Sequence, residues 1–338
     1  MIYFDVTKTG SATHRSGLTR VSARLAAELG TAATAVRWPA WDRAVRPEDW
    51  LLTAELFSDD ERPGWSEFIR ARRCRTAAIF HDAIPLKFPQ ITWPQSVARH
   101  PGYMKLLASV DRVWAVSAAS RDELIGFWRW QGLAKLPPVE VLALGSDFDG
   151  SARAVEKAGS ATPPSLLCVG ILEPRKNQRL LLEVCEELWL EGLGFELHLV
   201  GRVNPHFGEP IVAQIKGLRK KFSNLHYHEA ASDEDVVRLY GSARATVFPT
   251  LAEGCGLPVL ESLWRGVPCV CSDLPVLQEN YQGGGCLPAK TDDRLAWKDA
   301  LRRVLTDDML YSRLVTEATT RPLPTWAGAA QTLREGLK

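Results

Sequence analysis

Glu253 and Glu261 flank Gly254-Cys255-Gly256-Leu257-Pro258-Val259-Leu260, so two carboxylates bracket a glycine-rich turn. An amphipathic run follows, then the stop signal Arg265-Gly266-Val267-Pro268 and the apolar Cys269-Val270-Cys271. That order predicts a loop, a helix and a buried strand. Pro258 suits the first helical position, where its missing N–H would have no partner anyway, and the glycines let the backbone approach a ligand. A helix start built this way offers N–H groups and the positive end of the helix dipole to a phosphate or an electron-rich oxygen. The carboxylates need a different partner. Glu253 in the loop and Glu261, about 6 Å along the helix axis from Leu257, are placed to accept hydrogen bonds from hydroxyls beside that anion. Sugar and ribose hydroxyls fit this description.

The elements that must position these groups are legible along the whole chain. Apolar strand-like runs, among them Ala77–Phe80, Arg112–Val116, Ser165–Val169, Glu196–Val200 and Ala245–Phe248, alternate with helical patterns. Such alternation implies parallel sheets with helices on both faces. Small and polar residues between Gly145 and Pro164 interrupt the rhythm and read as a domain junction. The expected division is a first domain over 1–150, a linker over 151–164, a second domain over 165–325 and a closing helix over 326–338 that packs back toward the first domain. Ligands of doubly wound sheets bind outside the carboxyl ends of the strands, so two such domains are expected to face a cleft.

The pattern Glu253-x7-Glu261 around Gly-x-Gly-Leu-Pro resembles the donor-site signature of the retaining GT-B glycosyltransferases, in particular glycosyltransferase family 4. Val169-Gly170-Ile171-Leu172-Glu173-Pro174-Arg175-Lys176-Asn177 is similar to that family's strand-to-loop segment. The likeness extends to His81-Asp82-Ala83-Ile84-Pro85, to Val116-Ser117-Ala118-Ala119-Ser120-Arg121 and to Thr325-Trp326. The resemblance implies an α/β GT-B fold of two Rossmann-like doubly wound domains. It implies that Glu261 holds ribose hydroxyls, that Glu253 holds sugar hydroxyls, and that backbone around Gly254, Cys255, Gly256 and Leu257 meets sugar and phosphate. Arg175 and Lys176, following Gly170 at a strand end, would stabilise the charge that builds on a diphosphate leaving group, the work a metal would otherwise do. Many relatives carry arginine where this chain has Ile171, so the phosphate load falls on Arg175 and Lys176. The site is expected to be metal-independent, with no Asp-x-Asp metal motif in the chain, and to need no cofactor.

His81 stands at the carboxyl end of a predicted strand, and the resemblance assigns it to the transferred sugar as a further catalytic residue beside Arg175, Lys176 and Glu253. Gly17, at a helix start after the first strand, is a candidate for the donor phosphates or the acceptor. His14 and Arg15 stand beside it. Phe127-Trp128-Arg129-Trp130 fits a packed helix face better than a membrane surface, although both readings suit the spacing.

With 338 residues the chain exceeds one ordinary core, and a net charge of +1 gives no basic field for nucleic acid. Its seven scattered cysteines show no paired-ligand spacing, so neither a zinc site nor any converging set of Cys or His ligands is expected, and the thiols read as reduced and cytosolic. No apolar run reaches the length of a membrane span. The chain is thus expected to be a cytoplasmic enzyme, with room for peripheral contact at the inner face of the cell membrane. It would move a sugar, mannose from GDP-mannose first, with retention of configuration, to a glycan or lipid-linked acceptor of a bacterial surface polysaccharide such as lipopolysaccharide. A rhamnosyl- or other hexosyltransferase of the same fold is the alternative, and a non-catalytic nucleotide-sugar- or partner-binding relative is the alternative of another class.

Overall fold

A computed structural model describes residues 1–11, 17–40, 45–148, 150–157 and 162–338. The apolar runs of the first 145 residues form β1 (Ile2–Asp5), β2 (Ala33–Val36), β3 (Trp50–Thr53), β4 (Arg75–Phe80), β5 (Arg112–Ala115) and β6 (Val139–Val141). They pair in parallel in the order β2-β1-β3-β4-β5-β6. Parallel neighbours need crossovers, and α1 (Gly17–Leu29), α2 (Trp65–Ala71), α3 (Ile84–Lys87), α4 (Pro94–Leu107) and α5 (Ala118–Trp130) supply them. With helices on its faces the central sheet is dry, which is why Trp50-Leu51-Leu52-Thr53 is buried at every position rather than at alternate ones. Ser117 caps α5 by accepting from the Ser120 N–H at 3.0 Å.

The second half repeats the plan. Strands β7 (Ser165–Val169), β8 (Glu196–Val200), β9 (Leu225–His228), β10 (Ala245–Phe248), β11 (Cys269–Ser272) and β12 (Cys286–Ala289) lie in the order β12-β11-β10-β7-β8-β9, again all parallel. Around them run α6 (Gln178–Leu190), α7 (Glu209–Arg219), α8 (Asp233–Ser242), α9 (Leu257–Trp264), α10 (Pro275–Tyr281), α11 (Arg294–Thr306) and α12 (Asp308–Thr320). One core gathers Leu166, Leu197 and Val270 from the strands with Leu181, Leu188 and Leu301 from the helices.

The chain divides into two compact units, Met1–Gly145 with Pro324–Lys338, and Ser146–Leu323. Residues 151–157, whose composition reads as a linker, lie against the second unit: Trp264 Nε1 donates to the Ser151 carbonyl at 3.1 Å, and Arg153 Nη2 to the Ala318 carbonyl at 2.9 Å. The last helix, α13 (Trp326–Gly336), belongs to the first unit and packs on α1. Thr325 caps it, and Trp326 lies so close to Gly145 that a Cβ there would meet the Trp326 backbone nitrogen at 2.2 Å. In α5, Phe127 and Trp128 are buried while Trp130 is exposed, so the aromatic run divides between core and surface.

One polar knot sits inside the first unit. The Arg62 guanidinium, fully buried, pairs with Asp5 at the end of β1 and with Glu55 just past β3. Glu55 also accepts the Lys8 N–H at 2.8 Å and the Thr9 N–H at 2.7 Å, fixing the start of the loop that leaves β1. The aromatic faces of Trp65 and Phe57 lie 4.8 and 5.8 Å from the same guanidinium. Two carboxylates buried beside one cation cannot tolerate its loss. Arg62→Met should therefore lower stability by about 3–5 kcal/mol, read from urea unfolding of the purified variant; a wild-type midpoint would show that the knot contributes nothing.

Candidate functional site

The carboxyl ends of β7 and β10 bring their following loops together in the second unit. Past β7 the chain runs through Gly170 and a single turn, Pro174–Lys176, before Asn177 adopts a left-handed conformation and α6 begins. Gln178 Nε2 donates to the Ile171 carbonyl at 2.9 Å and holds that loop in shape. Gly201, past the end of β8, stands so near that a Cβ there would meet the Gly170 carbonyl oxygen at 2.2 Å, which only glycine avoids. Past β10, the Leu251 N–H donates to the Arg175 carbonyl at 2.8 Å, and Thr250 Oγ1 stands 3.1 Å from the same oxygen. The two loops are thereby bonded backbone to backbone.

Glu253 lies at their centre. Its Oε1 accepts from Lys176 Nζ at 2.6 Å, Thr250 Oγ1 at 2.8 Å and Arg175 Nη1 at 2.9 Å. Burial pushes the Glu253 carboxyl up, but Lys176 and Arg175 outweigh it and hold the group below the usual range. The same burial pulls the Lys176 ammonium down, against the opposing pull of Glu253. Lys176 Nζ also sits 4.7 Å from the centre of the Phe248 ring. Arg175 has a second acid, Glu173, whose Oε1 lies 2.8 Å from Nη2 and whose Oε2 accepts from Asn204 Nδ2 at 3.0 Å. Arg175 and Lys176 thus face Glu173 and Glu253, and the formal charges cancel.

The turn between Glu253 and α9 differs in detail from expectation. Leu257 opens the helix, so Pro258 takes the second place and not the first. Gly256 caps it at φ 79°, and a Cβ there would meet Leu277 Cδ2 at 2.3 Å. The Val259 N–H is used by the Gly256 carbonyl at 3.0 Å, and Pro258 has none, so the first turn offers fewer amides than the sequence pattern promises. Asn280 Nδ2 pins the Cys255 carbonyl at 2.6 Å. The Cys255 thiol, pushed up to about 12 chiefly by burial, stays protonated. Glu261 is buried in the second turn of α9.

Among the residues singled out from sequence, the fold gathers Gly170, Arg175, Lys176, Glu253, Gly254, Cys255, Gly256, Leu257 and Glu261 in the second unit. His81 and Gly17 belong to the first. His81 is buried at the end of β4; its Nε2–H donates to the Ala54 carbonyl at 2.8 Å, and burial holds the ring below its ordinary pKa, hence neutral. Gly17 opens α1 at the surface, and His14 and Arg15 lie outside the described residues. Sequence reasoning gave no role to Thr250, Glu173 or Asn204. Glu173 and Thr250 could have been found by their places at strand-end loops, whereas Asn204 carries no such signal.

Two sequence expectations about metals need correction. Asp-x-Asp triplets do occur, at Asp147-Phe148-Asp149 and Asp233-Glu234-Asp235. The second caps α8, with Asp235 and Ser232 exchanging hydrogen bonds, and Asp149 lies outside the described residues. A converging ligand set also exists, because Glu196, His198 and His226 meet across β8 and β9. Histidines in two distant segments become neighbours only through strand pairing.

Comparison with known proteins identifies the fold and the family. The family profile described as glycosyl transferases group 1 matches residues 163–307. The serotype-specific mannosyltransferase WbdA of Escherichia coli is 29% identical over 245 residues, 68% of this chain and 30% of that protein, so the chain spans less than a third of this relative. The O-antigen chain mannosyltransferase B of Escherichia coli is 30% identical over 273 residues, 78% of this chain and 69% of that one. Among solved structures, sucrose-phosphate synthase from Thermosynechococcus elongatus superposes with a TM-score of 0.70 at 16% identity, covering 99% of this chain and 97% of that chain. Anabaena HepE in complex with UDP and glucose gives 0.70 at 12% identity over 99% and 98%. The two parallel sheets are those of the GT-B fold, and the chain belongs to the group 1 glycosyltransferases.

Proposed function

We propose that this protein transfers a hexose, mannose from GDP-mannose in the first instance, to a glycan or lipid-linked saccharide during synthesis of a bacterial surface polysaccharide. The observation that carries the reading is the shared acceptor Glu253 Oε1, which holds both cations of the Arg175–Lys176 pair at the ends of β7 and β10. Two relatives named as O-antigen or serotype-specific mannosyltransferases support the choice of sugar and product class. Rhamnosyl or other hexosyl transfer on the same site is the second reading.

In this proposal the diphosphate displaces carboxylates from the cations. The cluster formed by Arg175, Lys176, Glu173 and Glu253 is neutral, so an incoming diphosphate must compete with Glu253 for Lys176 and Arg175. Once displaced, Glu253 is free to accept hydroxyls of the sugar, and Glu261 those of the ribose. Fixed cations then stabilise the charge that develops as the sugar–phosphate bond breaks. The leaving phosphate oxygen takes the acceptor's proton on the same face, which gives retention without a covalent sugar–enzyme intermediate and without a metal. Peripheral membrane contact would bring a lipid-linked acceptor within reach; no helix among the described residues is long and apolar enough to cross a membrane.

Arg175→Ala with Lys176→Ala should reduce transfer by at least the roughly 10²–10³-fold typical of one lost electrostatic donor, whereas Glu253→Gln should bind nucleoside diphosphate as tightly as wild type or more tightly while transfer falls. Calorimetry with GDP beside transfer rates measures both. Unchanged turnover in the double variant, or weakened GDP binding by Glu253→Gln, would remove the competition from the mechanism. Transfer should persist in excess chelator; loss in chelator with recovery on magnesium or manganese would overturn the metal-free reading. His81→Ala should keep nucleotide affinity while transfer falls, because Arg175, Lys176 and Glu261, proposed here to hold the diphosphate and ribose, are left untouched. A large loss of GDP binding, or full transfer, in that variant would take His81 out of the site.

A further inference from the structure

The pairing of β8 with β9 sets His198 directly opposite His226 and Val200 opposite His228. Because side chains alternate along a strand, Glu196, His198, His226 and His228 project from one face, while Leu197, Leu199 and Leu225 project from the other into the core. The candidate ligand atoms of Glu196, His198 and His226 all lie within 4.8 Å of one another. Glu196 Oε2 is 3.2 Å from His198 Nε2, and Glu196 Oε1 is 3.8 Å from His226 Nε2. His226 Nε2 is buried without a hydrogen-bond partner among the described residues, which costs free energy unless something else satisfies its lone pair.

We propose that Glu196, His198 and His226 form a binding site for one zinc-class divalent cation, separate from the sugar-transfer site and independent of the function proposed for it. Zinc takes imidazole nitrogen and carboxylate oxygen at about 2.0–2.2 Å in tetrahedral geometry, so neighbouring ligand atoms stand roughly 3.3–3.6 Å apart. The separations of 3.2 and 3.8 Å run to the two different oxygens of Glu196, and with the His198 and His226 rings nearly parallel, side-chain rotation must turn one oxygen and both ring nitrogens onto the ion. Two histidines and one carboxylate leave the fourth position to water. His228 completes the arrangement. Its Nε2 lies 3.1 Å from His198 Nδ1, and if it accepts the Nδ1 proton it leaves the His198 Nε2 lone pair for the metal. The donor set suits Zn²⁺, Co²⁺ or Ni²⁺ and not Mg²⁺, which prefers oxygen. Because β9 is an edge strand, a bound ion would tie that edge to β8.

The test is titration of the full chain, freed of any histidine tag and of metal, with zinc alone. We expect one zinc per chain with a raised melting temperature, no effect of magnesium, and visible absorption of four-coordinate character when cobalt replaces zinc. His226→Gln and Glu196→Gln should each abolish the zinc-dependent rise, and His228→Ala should weaken binding about 10–100-fold. Melting of the metal-free variants checks that each is folded. Absence of stoichiometric binding by the wild-type chain, or binding unchanged in both His226→Gln and Glu196→Gln, would overturn the proposal.

Discussion

The second unit is organised around one oxygen atom. Glu253 Oε1 receives donors from Arg175 and Lys176 on the loop after β7 and from Thr250 on the loop after β10. A carboxylate buried this far can remain ionised because two cations overcome the cost of its desolvation. The same bonds keep Lys176, itself nearly buried, in place beside Phe248. Removing the shared acceptor would leave the buried Lys176 ammonium beside Arg175 with Glu173 as the nearest remaining partner of the pair. The backbone bond from the Leu251 N–H to the Arg175 carbonyl ties the two loops together before any ligand arrives.

Close approach at this site depends on atoms that are missing. Gly201 lets the β8 end come against the Gly170 carbonyl, and Gly256 lets the turn before α9 pass Leu277. A Cβ at Gly201 would press on the Gly170 backbone, and one at Gly256 would displace the Leu277 side chain at a φ of 79° that side chains rarely adopt. These glycines therefore act on the chemistry through spacing, and the side chains around them could keep their identities while the site lost its shape.

The first unit solves a similar problem with the opposite polarity. There one cation, Arg62, serves two carboxylates, Asp5 and Glu55, and Glu55 in turn holds the Lys8 and Thr9 amides at the start of the loop after β1. In both units a buried ion cluster at strand ends fixes loops that the sheet alone would leave undetermined. Buried charges are costly unless paired and hydrogen-bonded, so each cluster specifies one arrangement of its loops.

The sequence by itself determined the alternation of strands and helices, the parallel sheets, the strand-end positions of Gly170, Arg175, Lys176 and Glu253, and the place of Glu261 on the helix that follows. Those follow from local apolar periodicity and from motifs whose residues are near neighbours in the chain. It also placed a closing helix over 326–338, whose capping by Thr325 the structure adds. Tertiary structure decided what distant segments do to one another. Glu253 as the partner of Arg175 and Lys176, Arg62 as the partner of Asp5, and the meeting of His198 with His226 each join residues tens of positions apart. Strand order and register set those meetings, and no spacing within one segment encodes them. The same holds for the amides at α9: whether a helix start offers free N–H groups depends on which of them the turn before it has already used, and the coordinates of Gly256 and Val259 decide that.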